Sequence, residues 1–199
     1  MRFILGPPPK DDTILEEESN WHPLNEPSHM KFQITGLLTA LLILALIILV
    51  LLTRGSKYIA NVSWPTLMLL IIPLIPVHEL LHAVCFKGGL TSQRVLFGLY
   101  PKLFACYAAY NGRITWHRYI IIAVFPFLIL TVIPLVVVAV FQVECKYLVE
   151  IILVNGMAPA VDMLTIITIL KQVPRQSIVF SSGMTTYWKP VGSKAQEGT

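Results

Sequence analysis

Ile71-Ile72-Pro73-Leu74-Ile75-Pro76-Val77-His78-Glu79-Leu80-Leu81-His82-Ala83 decides how this chain is read. An apolar, proline-bearing run leads straight into two histidines and a glutamate spaced H-E-x-x-H. Residues four apart share one face of an α-helix, so both imidazoles can turn to one metal ion. Glu79 between them is placed to take a proton from water at that ion. Ionisable groups at membrane depth are costly, so a cluster of three marks function by default. The plain alternative is a pair of helix-end histidines with an incidental glutamate. It leaves the cost of that placement unexplained, and with this chain's composition the motif arises by chance only about once in two hundred such sequences.

Composition agrees with a membrane setting. Of 199 residues, 55% are hydrophobic and only 13% charged, and the mean hydropathy is +0.70. Soluble domains carry about 25% charged residues. Three cysteines make no disulfide framework and read as small apolar residues. Cys85 is the exception to weigh, because it follows His78 and His82 at seven and three residues and can offer a thiolate on their face. The net charge of +4 is accounted for by topology, and no nucleic-acid partner is expected. Met1–Leu5 is too short for a signal-peptide core, and Pro7-Pro8-Pro9 ends it.

Residues 1–31 are polar, Pro-rich and acidic, with Asp11, Asp12, Glu16, Glu17 and Glu18, and read as a flexible cytosolic tail. Four apolar segments follow, at about Phe32–Thr53, Trp64–Phe86, Tyr119–Phe141 and Leu148–Leu170. A helix of roughly 20 residues crosses about 30 Å of hydrocarbon. The expected fold is therefore an all-α membrane protein of about four transmembrane helices. Residues 32–175 form the membrane domain with the metal site, and 176–199 form a cytosolic C-terminal tail. With both termini inside, twelve of the fifteen Lys and Arg lie on the cytosolic side, leaving only Arg54, Lys57 and Lys146 outside.

A small sheet is expected between the second and third helices. Gln93–Gly98 reads as one strand, and Ala105–Tyr110 with Arg113–Trp116 as two more about an Asn111-Gly112 turn. The segment is either an interfacial loop anchored by its aromatics or a sheet whose edge accepts an extended substrate peptide.

A catalytic zinc site has three protein ligands and a water. The motif supplies two. Of three Asp, only Asp162 lies in a span. It stands about 13 Å in from Lys171, and the motif about 10 Å in from Lys87, at 1.5 Å rise per residue. Glu150 lies toward the outer end of the same span, and His117 at the cytosolic interface; both are weaker alternatives. Pro159 has no N–H to give the Asn155 carbonyl, so the fourth helix should open just before Asp162. Pro73 and Pro76 should loosen the second helix before His78 in the same way. Asn155 is expected to bond a substrate backbone or to support the opened helix.

Pro76–Ala83, Val95–Gly98, Tyr119–Phe127 and Asn155–Asp162, in that order, resemble a bacterial family of small multi-pass zincin peptidases, itself similar to reduced site-2 proteases. The resemblance covers about residues 65–190. Met163 follows Asp162 where site-2 proteases usually have Gly, and Val161 precedes it where the small family tends to have Gly. The resemblance implies that His78, His82 and Asp162 bind Zn²⁺ and that Glu79 is the catalytic acid/base. The expected activity is a membrane-embedded zinc metalloprotease. It would cut membrane proteins or peptides near the cytosolic leaflet, in a multi-pass cell-membrane protein with the lipid bilayer as its other partner. The alternative is a metal-binding membrane adaptor, or degenerate paralogue, without proteolysis.

The split of basic residues makes topology testable. Reporter fusions after residue 30, between Gly89 and Trp116, and after Leu170 should report cytosol, and fusions near Ser56 or Cys145 the outside. An external 89–116 segment would overturn the depth argument for Asp162.

Overall fold

The computed structural model describes residues 1–17, 20–54, 57–103 and 105–191. Glu18, Ser56 and the 192–199 portion of the expected C-terminal tail lie outside them. In chain order the elements are β1 (Arg2–Leu5), α1 (Thr13–Glu17), β2 (His22–Pro23), α2 (His29–Arg54), α3 (Lys57–Ala60) and α4 (Trp64–Cys85). They continue with β3 (Val95–Tyr100), β4 (Ala105–Tyr110), β5 (Ile114–Thr115) and α5 (Trp116–Phe127). A π-helical turn, Leu128–Val132, leads into α6 (Ile133–Phe141), α7 (Lys146–Met157), α8 (Ala160–Gln172), β6 (Ser177–Ser182) and β7 (Thr185–Pro190). The chain is mostly helical. Among the described residues, three helical runs are long and apolar enough to cross a membrane: α2, α4, and α5 through α6. The fourth expected span is a pair, α7 and α8, bent by 45° at the break before Ala160.

These residues fall into two compact units. One comprises Pro27–His82 and Ile122–Thr165. Its core is Ile47 and Leu51 of α2, Val138 of α6, and Val149 and Ile152 of α7. Gly156 lets α2 approach α7, because a Cβ there would run into the Ile47 side chain.

The other unit comprises Met1–Glu26, Ala83–Ile121 and Ile166–Thr199. It holds two sheets. In one, β1 pairs parallel with β3, and β3 pairs antiparallel with β4, which ends the sheet. Gly98 lies opposite Tyr107, and the tyrosine ring fills the space a side chain at 98 would take. The second sheet is antiparallel, in the order β2-β7-β6-β5. Val179 of β6 packs in one core cluster with Leu24, Trp116, Ile169 and Val173.

Three expectations change here. The 1–31 segment is not a free tail. Arg2–Leu5 pairs with Leu96–Leu99, and His22–Pro23 with Tyr187 and Trp188. The Asp11 carboxylate accepts from the Thr13 hydroxyl at 2.6 Å and the Asn111 amide at 2.7 Å. The Ser182 hydroxyl donates to Asp12 at 2.6 Å. The bonds of Asp11 to Asn111 and of Asp12 to Ser182 span 100 and 170 positions, which local composition does not reveal. Second, 176–191 forms a hairpin, with Ser182 opposite Thr185 across Gly183-Met184. Gly183 has φ +60°, which the first position of a two-residue type II′ turn requires. Third, Asn111-Gly112 joins two sheets and makes no hairpin. β4 pairs with β3, β5 pairs with β6, and Gly112 lacks the positive φ of a type I′ turn. The sheets therefore draw on both ends of the chain and are not a self-contained insertion between the second and third helices.

The Gly156 contact yields a signed prediction. Gly156→Ala adds about 1 kcal/mol of helix propensity but overpacks Ile47, at about 1–3 kcal/mol. It should lower the midpoint of thermal unfolding in detergent. In an Ile47→Val background, which lacks the Cδ1 in the way, the same substitution should be neutral or stabilising. Equal losses in both backgrounds would contradict the contact.

Candidate metal centre

Every group of the centre lies within the unit formed by Pro27–His82 and Ile122–Thr165. The motif rides on α4, and the helix runs unbroken through Pro73 and Pro76. The loosening expected before His78 is therefore not seen as a break. Each proline removes only one N–H, and the neighbouring turns carry the helix across. Pro159 behaves as expected. α7 ends at Met157 and α8 begins at Ala160. The Pro159 carbonyl accepts from the Met163 N–H at 2.8 Å. Asp162 therefore falls in the first turn of α8, where the positive end of the helix dipole favours a carboxylate.

The two imidazoles are buried, at 6% and 8% relative exposure. Their ring centroids lie 4.9 Å apart with planes at 76°. His78 Nε2 is 3.2 Å from Asp162 Oδ2, and His82 Nε2 is 3.5 Å from the same oxygen. Behind the rings, each Nδ1 has an acceptor. His82 Nδ1 donates to the Ile122 carbonyl at 2.8 Å. His78 Nδ1 donates to Asn155 Oδ1 at 3.0 Å, and Asn155 Nδ2 donates to Thr131 Oγ1 at 2.9 Å. An imidazole that carries its proton at Nδ1 leaves the lone pair at Nε2, on the side facing Asp162.

Among the described residues, one group of His, Cys, Asp and Glu has metal-ligating geometry: His78, Glu79 and His82, with donor atoms within 4.8 Å of one another. Asp162 joins the same two imidazoles through the distances above. Two triads are thus available, and they differ in the carboxylate. The shared oxygen of Asp162, in near-contact with both Nε2 atoms, is the stronger geometric claim.

Other expectations resolve differently. Asn155 is buried at 1% exposure, and both ends of its amide are occupied, by His78 and Thr131. The sequence offered Asn155 for a substrate backbone or for support of the opened helix; the structure sets its amide oxygen against His78 and an amide N–H against Thr131. Cys85 offers its carbonyl to Arg118 Nε at 3.0 Å, and His117 sets its ring edge-on to Trp116. Neither belongs to the metal-capable group. Glu150 is fully buried elsewhere in this unit. Its Oε1 accepts the Ser63 backbone N–H at 3.0 Å, at the start of α4, and lies 3.8 Å from Lys146 Nζ. Sequence reasoning missed Thr131 and the Ile122 carbonyl. Thr131 was detectable as the lone hydroxyl between Ile120 and Phe141.

An H-E-x-x-H helix whose imidazoles converge beside a carboxylate defines a zincin-type centre. The chain belongs to the family described as "Putative zincin peptidase", whose profile matches residues 71–178. That span takes in the motif, the π-helical turn, the broken helix pair and Asp162. The family description implies a zinc peptidase. Neither a curated protein nor a solved structure matches the chain.

Glu150 provides a control. Glu150→Ala should destabilise the protein by about 1–3 kcal/mol through the orphaned Ser63 N–H, while metal content stays at the wild-type level. A fall in bound metal would make Glu150 part of the centre.

Proposed function

We propose that this chain is a membrane-embedded zinc metallopeptidase that hydrolyses peptide bonds of membrane-associated proteins near the cytosolic leaflet. His78, His82 and Asp162 are its zinc ligands. The observation that carries the reading is the pair of distances, 3.2 and 3.5 Å, from Asp162 Oδ2 to the two Nε2 atoms. Ligands about 2.0–2.1 Å from zinc at tetrahedral angles lie about 3.3 Å from one another. Two imidazoles and one carboxylate also match the donor set of hydrolytic zinc sites.

Zinc held there supplies Lewis acidity to a water and to the scissile carbonyl. The chain's residues do the rest. Glu79 takes the proton from the attacking water and delivers it to the leaving amine. Asn155 and the Ile122 carbonyl hold the imidazoles in the ligating tautomer.

Membrane embedding is supported by the surface of α2. Leu38, Leu42 and Leu49 are 57–61% exposed, on a helix long enough to span about 30 Å of hydrocarbon. In water so continuous an apolar face would drive aggregation; in lipid it is matched. The likeness of the Asn155–Asp162 stretch to site-2 proteases extends the proposal to membrane-tethered substrates. That extension is by analogy of fold and site.

Purified protein should hold about one zinc per chain. His78→Ala, His82→Ala and Asp162→Ala should each lower that occupancy. Glu79→Gln should keep the metal yet cost about 10² to 10⁴ in rate on a co-expressed membrane substrate. Full zinc in all three alanine variants would refute the ligand set. A Glu79→Gln strain that behaves as wild type, where the deletion strain does not, would favour the non-proteolytic adaptor.

A further inference from the structure

The two histidines are held by acceptors that an ordinary helix would not offer. A helical carbonyl normally accepts the N–H four residues on. For Ile122 that position is Pro126, which has no N–H. The Ile122 carbonyl is thus left a lone pair, and His82 Nδ1 takes it at 2.8 Å. Pro126 lies inside α5 and is fully buried, a place where proline ordinarily costs a helix about 3 kcal/mol.

Two residues later the helix widens. Leu128–Val132 is a π turn, with the Ile133 N–H reaching back to the Leu128 carbonyl. Such turns are rare and occur frequently at functional sites. Thr131 sits in it, at 1% exposure. Its hydroxyl oxygen accepts the Asn155 amide N–H at 2.9 Å, so the amide presents its oxygen to His78 Nδ1. An amide turned the other way would offer N–H to His78 and favour the tautomer that blocks Nε2.

We propose that Pro126 and Thr131 are positioning residues of the metal centre: Pro126 frees the carbonyl that holds His82, and Thr131 aims the amide that holds His78. One seven-residue stretch, 126–132, thereby sets both imidazole tautomers. The inference rests on the zinc reading above. It adds two residues that touch neither metal nor substrate.

The test uses the full-length protein in detergent micelles. Zinc affinity is read by chelator competition, stability by thermal unfolding, and imidazole tautomers by ¹⁵N-histidine NMR of the metal-free protein. Pro126→Ala restores an N–H that competes for the Ile122 carbonyl. It should weaken zinc binding about 10- to 100-fold and deplete the Nδ1-protonated form of His82, while thermal stability holds or rises. Thr131→Val should weaken zinc binding by a similar factor and shift His78; Thr131→Ser, which keeps the hydroxyl, should restore both. If wild type binds zinc and Pro126→Ala and Thr131→Val bind it as tightly, this inference fails and the zinc reading stands. Zinc and stability falling together in Pro126→Ala, or no recovery in Thr131→Ser, would reduce either residue to a packing role and overturn its positioning role. A wild type that binds no zinc removes the zinc reading and this inference with it.

Discussion

Two hydrogen bonds at the rear of the imidazoles, His82 to the Ile122 carbonyl at 2.8 Å and His78 to Asn155 at 3.0 Å, govern what the rest of the centre can do. A neutral imidazole has one donor and one acceptor nitrogen. Buried in an apolar helix, each ring must satisfy its donor. Meeting that demand at Nδ1 turns both Nε2 lone pairs toward Asp162. The requirement accounts for features that otherwise look like defects: a proline inside α5, a π turn, and a buried asparagine. The break at Pro159 belongs with them, since it starts α8 just before Asp162 and gives the carboxylate a helix N-terminus.

Much of this was legible in the chain. Long apolar runs mark α2, α4 and the α5–α6 run because a spanning helix needs little beyond length and hydropathy. H-E-x-x-H marks its own face, and Asp162, singled out by the scarcity of carboxylates within the spans, lies beside both imidazoles. Pro159 marks the break between α7 and α8. β4 is found at its bounds, Ala105–Tyr110, from its aromatic content and the Asn111-Gly112 that follows it. The Gly183 hairpin was legible in Ile178-Val179-Phe180 and Thr185–Trp188 about a glycine, a strand-turn-strand pattern that the reading of 176–199 as a tail passed over.

The rest was hidden for physical reasons. β1 has four residues and finds its partner more than ninety positions away, so no local period announces it. Asn111-Gly112 carries the strongest hairpin dipeptide, yet β4 pairs with β3 and β5 with β6, partners that lie outside the local window. The acceptor for His82 is a backbone carbonyl, which no side-chain motif can show; its only trace is a proline four residues on. Asn155 stands out by its place before Pro159, but its partners, His78 and Thr131, come from segments far apart in sequence.

Zinc K-edge X-ray absorption on the zinc-loaded, full-length protein tests the ligand assignment most directly, because it reads donor type and distance at the ion itself. The account predicts a four-coordinate site of two imidazole nitrogens and two oxygens, all at about 2.0–2.1 Å. A sulfur shell at about 2.3 Å, the signature of a thiolate such as Cys85, or a third imidazole, as from His117, would contradict it.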